Sequence, residues 1–150
     1  MLPAIEPMQE QMEASAPLYR TAWMGMLVVM VAVEAIIAAP AFGRAVPASA
    51  MLVVAGAMFI VLGNAMPKSR PGFFVGIRTP WTLTDSGNWI ATHRFGGRLS
   101  IAGGVAIAAL GLLPISPGIR LGGVLAVTAA IVIVPVAYSW RYWRRTARNT

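Results

Sequence analysis

An all-helical membrane bundle of four crossings, with one ordered polar loop between the second and third, is the fold class this sequence predicts. Three observations carry it. Apolar residues make up 57% of the chain and charged residues only 11%, against roughly a quarter charged in ordinary globular domains. Apolar runs near the ~20 residues that a membrane helix needs recur along the sequence. The polar residues gather instead in one dense run, from Asn64 to Leu99. Four crossings and that loop use the 150 residues, leaving no room for a separate soluble domain.

The first crossing spans about 21–39 and ends at Pro40 and Gly43, because proline cannot continue the hydrogen-bond ladder. The segment before it, residues 1–20, is not a secretory signal: it holds Glu6, Glu10 and Glu13, and no basic residue before Arg20. Ile5, Met8 and Met12 recur at helical spacing, so it reads as a short amphipathic helix along the membrane or as a frayed, solvated terminus. In the first of these readings the three glutamates face the basic loop or the basic tail.

The second crossing, about 47–66, starts at Pro47, a favourable first helical position, and stops before Pro67. The third spans about 97–113 and the fourth about 118–140, with Pro114 and Pro117 making the turn between them. Pro135 predicts a kink in the last helix, which membrane helices tolerate better than soluble ones. Ser49, Gly56 and Gly63 repeat by seven in the second crossing, as do Gly97, Gly104 and Gly111 in the third, with Gly96 and Gly103 alongside. Sevens return to nearly the same helix face. Because lipid supplies little hydrophobic drive between helices, such seams predict close backbone pairing of the two, or a homo-oligomer.

Basic residues set the expected orientation. With both termini cytoplasmic, ten of the twelve lysines and arginines lie inside and only Arg44 and Arg120 outside, a strong positive-inside bias. Tyr138, Trp140, Tyr142 and Trp143 beside Arg141, Arg144, Arg145 and Arg148 read as an interfacial anchor on membrane lipids. The net charge of +7 is therefore a topology signal, and no direct nucleic-acid partner is expected.

Within the loop, Pro67, Pro71 and Pro80 force extended backbone on the residues before them. Phe73, Phe74, Ile77 and Trp81 are apolar enough to dip into the interface. Thr84 reads as a helix cap with Asp85 in the first turn, opening a helix that passes Trp89, Thr92 and His93 and runs into the third crossing. Trp89 and His93, four apart, share one face; Arg94 and Arg98 share another. Arg78, with its forked guanidinium, suits a lipid headgroup, an acidic partner, or a tie between loop and bundle.

Glu34 is the ionisable residue deep in a crossing, where a central charge costs about 2.5 to 3.5 kcal/mol. It reads as a proton or ligand site, as a protonated or paired group inside the bundle, or as a side chain reaching towards Arg44. Catalysis is not expected. One histidine, no cysteine and few carboxylates cannot assemble a metal site of ordinary ligand count, and Asp85 lies eight residues from His93, too far for a direct hydrogen bond along one helix. No cofactor is predicted.

The run Asn64-Ala65-Met66-Pro67-Lys68, then Phe74-Val75-Gly76-Ile77-Arg78-Thr79-Pro80-Trp81-Thr82-Leu83, then Trp89 and Thr92-His93-Arg94, resembles the signature of the SdpI family of bacterial membrane proteins. The likeness extends from Leu62 into the third crossing. It implies a multi-pass helical protein of the bacterial cell membrane, and immunity to a secreted peptide toxin together with signalling by holding a regulatory protein at the membrane. It singles out Asn64, Pro67, Lys68, Phe74, Gly76, Arg78, Thr79, Pro80, Trp81, Thr82, Trp89, Thr92, His93 and Arg94. Where relatives often carry acidic residues after the cap, this chain has Ser86 and Gly87, which removes a capping box there. The longer relatives' additional N-terminal membrane region has no counterpart in this sequence. The competing reading is a small carrier or channel-like protein for an amphiphilic solute or lipid, with Glu34 and the glycine seams as its path.

Overall fold

The computed structural model describes residues 6–47, 49–69 and 76–147, with side chains from Tyr19 onward. Five α-helices make up the fold: α1 (Glu6–Ala38), α2 (Ala50–Ala65), the short α3 (Pro80–Thr84), α4 (Ser86–Leu112) and α5 (Pro117–Thr146). Four of them, all but α3, are long and apolar enough to cross a membrane. They stand in a row. Among the described residues α2 packs on α4 and α4 on α5, while α1 touches α2 and the turns beside it but neither α4 nor α5.

Helix boundaries differ from the sequence expectation: α2 begins at Ala50, so Pro47 lies before the helix and not at its first position, and α5 continues past Trp140 to Thr146. The amino-terminal segment forms no separate helix from Glu6 onward: it is the start of a single 33-residue α1. The glutamate side chains of that segment lie outside the described ones. As the sequence suggested, the helix entered through Asp85 runs past Trp89, Thr92 and His93 into the third crossing, and it does so through Gly96 and Gly97 without a break. The expected cap at Thr84 is corrected as well. Asp85 itself is the cap, its Oδ1 accepting from the backbone N–H groups of Gly87 (2.8 Å) and Asn88 (3.2 Å), as a carboxylate suits the positive helix end. The Thr84 hydroxyl instead donates back to the Pro80 carbonyl within α3. A capping box is present one helix earlier, where the Thr79 and Thr82 side chains each accept from the other's backbone N–H.

The glycine seam is where α2 and α4 meet. A Cβ built on Gly104 would lie 2.5 Å from the Gly56 carbonyl oxygen, and one on Gly56 would overlap the Gly104 oxygen. Gly63 and Gly97 repeat the arrangement at 2.6 Å in both directions, and Gly111 meets the Ser49 oxygen at 2.7 Å. Only a residue without a side chain admits such approach, which replaces the missing hydrophobic drive with backbone packing. Gly96 and Gly103 face α5 instead, against Pro135 and Ile131. The seams are closed along their length, and Glu34 is exposed on α1, remote from them, among Leu27, Met30, Val31, Ala35 and Ala38. Neither fact favours the carrier reading, and among the readings of Glu34 the exposed position does not support a place inside the bundle.

At the end where α4 turns into α5, Arg120 donates from Nε to the Leu110 carbonyl (3.0 Å) and from Nη2 to that of Leu113 (3.1 Å). These are carbonyls that a helix terminus leaves without intrahelical donors. One of the two basic residues on the sparsely charged side is thereby a helix clasp.

Candidate functional site: a buried polar knot at the loop

Polar side chains that belong to the loop and to the first two turns of α4 are the best-buried group in the molecule. Trp89, Thr82, Asn88, Thr92 and Ser139 are fully buried, and His93 is 1% exposed. Burying such groups is unfavourable unless each finds a partner, and here each does; among the described residues no buried side-chain nitrogen or oxygen is left unbonded.

His93 is the centre of the knot. Its Nε2 accepts the backbone N–H of Ile77 at 3.0 Å, so the ring proton sits on Nδ1, which faces the Trp89 carbonyl at 2.9 Å. The ring stacks on Trp89, with centroids 4.0 Å apart and planes 20° from parallel. This contact needs Gly76. Its φ of 129° is closed to ordinary side chains, and a Cβ there would overlap His93 Nε2. Both imidazole nitrogens are therefore committed to backbone, and Asp85 Oδ1 to its cap.

A second strand of bonds ties the loop to α5. The Asn88 side chain donates to the Ser139 carbonyl (3.0 Å) and its oxygen accepts from the Thr92 hydroxyl (2.9 Å). Trp81 Nε1 donates to Ser139 Oγ at 2.6 Å, and Ser139 Oγ in turn donates to the Val136 carbonyl at 2.8 Å. Thr82 donates to carbonyls of Ile77 and Thr79, both at 3.0 Å, closing the turn before α3. Trp89 Nε1 reaches the Ser69 carbonyl at 3.4 Å, fastening the turn after α2. Trp81 stacks with Trp143 at 6.0 Å, which docks it on the end of α5 beside the aromatic and basic cluster there. Ile77 turns inward, onto Gly96.

The residues singled out from sequence thus divide in two. Gly76, Thr79, Thr82, Trp89, Thr92 and His93 come together in or against the knot, with half-buried Trp81 at its edge. Asn64, Pro67, Lys68, Arg78, Pro80 and Arg94 are exposed. Phe74 lies outside the described residues, and Glu34 belongs to a different face altogether. Sequence reasoning missed Asn88, Ser139 and Ser69. Asn88 carried a legible signal, standing four residues before Thr92 just inside a helix start; Ser139 carried none, being 51 residues from its Asn88 partner.

Near the knot the bundle end is basic and aromatic: Arg144 lies 4.8 Å over the Trp140 ring, and Phe95 stacks on Tyr138 at 4.6 Å. A multi-pass helical membrane protein, with a loop clamped to its bundle by buried polar groups, is the class these features define. Residues 68–139, the stretch that runs from the turn after α2 to Ser139, match the model of the SdpI/YfhL protein family. The chain is similar to the protein described as immunity protein SdpI of Bacillus subtilis (strain 168), 33% identical over 86 residues, which cover 57% of this chain and 41% of that protein. This chain thus spans about two fifths of that relative's length. No solved structure matches it.

Proposed function

We propose that this chain is an SdpI-like immunity protein of the bacterial inner membrane, protecting against a secreted, membrane-active peptide toxin and signalling through the clamped loop. The observation that carries the reading is the coincidence of the family match, residues 68–139, with the polar knot. What the fold invests in buried hydrogen bonds is the fixed presentation of one loop. Arg78, Pro80 and Arg94 then form its outward face, the part available to a regulatory protein or to lipid headgroups. The knot itself is scaffold and performs no catalysis.

In this reading both termini and the loop are cytoplasmic, supported by the ten-to-two distribution of basic residues. Expression of the chain in a toxin-sensitive bacterium tests the immunity directly. Survival at toxin concentrations that kill the empty-vector strain is expected, with protection lost in Arg78→Lys at unchanged protein level, since lysine keeps the charge and loses the fork. Survival equal to the empty vector would overturn the reading. The absence of cysteine makes the orientation testable as well. A single Ser86→Cys, at an exposed position, should resist a membrane-impermeant thiol reagent in intact cells and react after lysis. Labelling of intact cells would place the loop outside and make it a direct toxin-facing surface.

A further inference from the structure

The α1–α2 contact is built unlike the α2–α4 seam. Between α1 and α2 lies a groove of about 570 Å³, lined almost wholly by apolar side chains, among them Val28, Ala32, Val54 and Ala57, with Arg20 at one end. Gly25, in its α1 wall, has open space where a Cβ would stand, with no atom within 4 Å, whereas the seam glycines are in backbone contact. The small residues here do not bring helices together; they leave a hollow.

We propose that this groove holds one acyl chain of an anionic phospholipid, with the lipid phosphate on Arg20. Three features commit the site to that occupant. From Arg20 to Ala32 the groove follows twelve residues of α1, roughly 18 Å at helical rise, enough for one leaflet's share of a hydrocarbon core about 30 Å thick. The exposed Arg20 stands at the start of the membrane-spanning part of α1, Tyr19–Phe42, and α1 also touches the Met66–Lys68 turn that closes the α2 span, which puts Arg20 at headgroup level. The hollow, at about 570 Å³, is slender for its length. The volume falls within the ~300–1,000 Å³ of small-ligand sites. A guanidinium grips phosphate oxygens through two parallel N–H bonds, and an added net negative charge on the lipid strengthens the contact.

Native mass spectrometry of the full chain from detergent, equilibrated with phosphatidylglycerol or phosphatidylcholine of identical acyl chains, tests the site. The wild type should retain one phosphatidylglycerol per chain, favoured about fivefold over phosphatidylcholine, as ~1 kcal/mol for one surface arginine implies. Arg20→Gln should keep a bound lipid but bring the preference close to one. Gly25→Leu, placed in open space, should abolish retention with its melting temperature unchanged; Ala57→Leu fills the opposite wall and reads the same loss should the first variant fold poorly. Equal retention of the two lipids by the wild type, or undiminished phosphatidylglycerol on both groove-filling variants, would overturn the proposal. So would a lipid-free dimer that Gly25→Leu dissociates, which would assign the groove to a second copy of the chain.

Discussion

Helices α1 and α4 are both long, and both qualify as membrane spans, yet the more hydrophobic of the two is the less buried. The α1 span has a mean hydropathy of 2.2 with 6% of its window buried inside the protein; the α4 span has 1.5 and 39%. Hydropathy decides that a helix enters the bilayer, where lipid tails satisfy apolar side chains as well as another helix does. It does not decide which helix becomes the core. α4 became the core because it carries what lipid cannot satisfy or what permits close approach: Asn88, Thr92 and His93 in its first turns, and glycines below them.

The strongest way to break this contrast is to put the same side chain at a glycine of each helix. Gly104→Leu drives a side chain into the Gly56 carbonyl and should destabilise the protein by about 3 kcal/mol, the upper range for overpacking. Gly25→Leu should stay within ~0.5 kcal/mol, as substitutions clear of packed features do. Thermal melts of the two variants in one detergent check both, and equal melting temperatures would remove the distinction between seam and groove.

Next in size is Gly76→Ala, which combines a forbidden backbone angle with overlap onto His93. A loss of about 1–3 kcal/mol is expected, together with faster proteolysis in the loop, read by limited digestion. Asn88→Leu leaves the Ser139 carbonyl and the Thr92 hydroxyl without their partner, at about 1–3 kcal/mol for buried groups left unsatisfied. Thr92→Val should cost less than Asn88→Leu, because one bond rather than two is lost. If both leave the melt unchanged, the knot contributes nothing to the special place of α4. The smallest effect belongs to Gly122→Ala, on an exposed face of α5, where nothing lies within 4 Å of the new methyl; a change of no more than about 0.5 kcal/mol is expected. That variant sets the baseline against which the others are read.

The elements of the fold were legible at different depths. Four apolar runs and their proline and glycine boundaries located the crossings, and the sevenfold spacing of Gly56 and Gly63 against Gly97, Gly104 and Gly111 named the pair of helices that touch. The entry into α4 was only half legible. Thr84 and Asp85 are both good capping residues, and the choice fell to Asp85 once the Thr84 hydroxyl was taken by the α3 carbonyl of Pro80. The Trp89 and His93 face was visible as a four-residue spacing, while the bond from Ile77 to His93 depended on how the loop folds back. The facing of Glu34 was left open among several readings, because a single charge in an apolar run says nothing about which way it faces.

By itself the sequence determined the solvent this protein lives in, the number of its crossings and the seam between two of them, because length, hydropathy and glycine period are properties of a single helix or of two helices read side by side. Only the tertiary structure decided that Ser139 and Ser69 close the knot, that Gly76 exists to admit an imidazole, and that α1 meets α2 around a hollow at Gly25. Each of those is a contact across tens of residues between small or polar groups. Such groups look alike in a sequence wherever they fall, and only the packed backbone determines which of them meet.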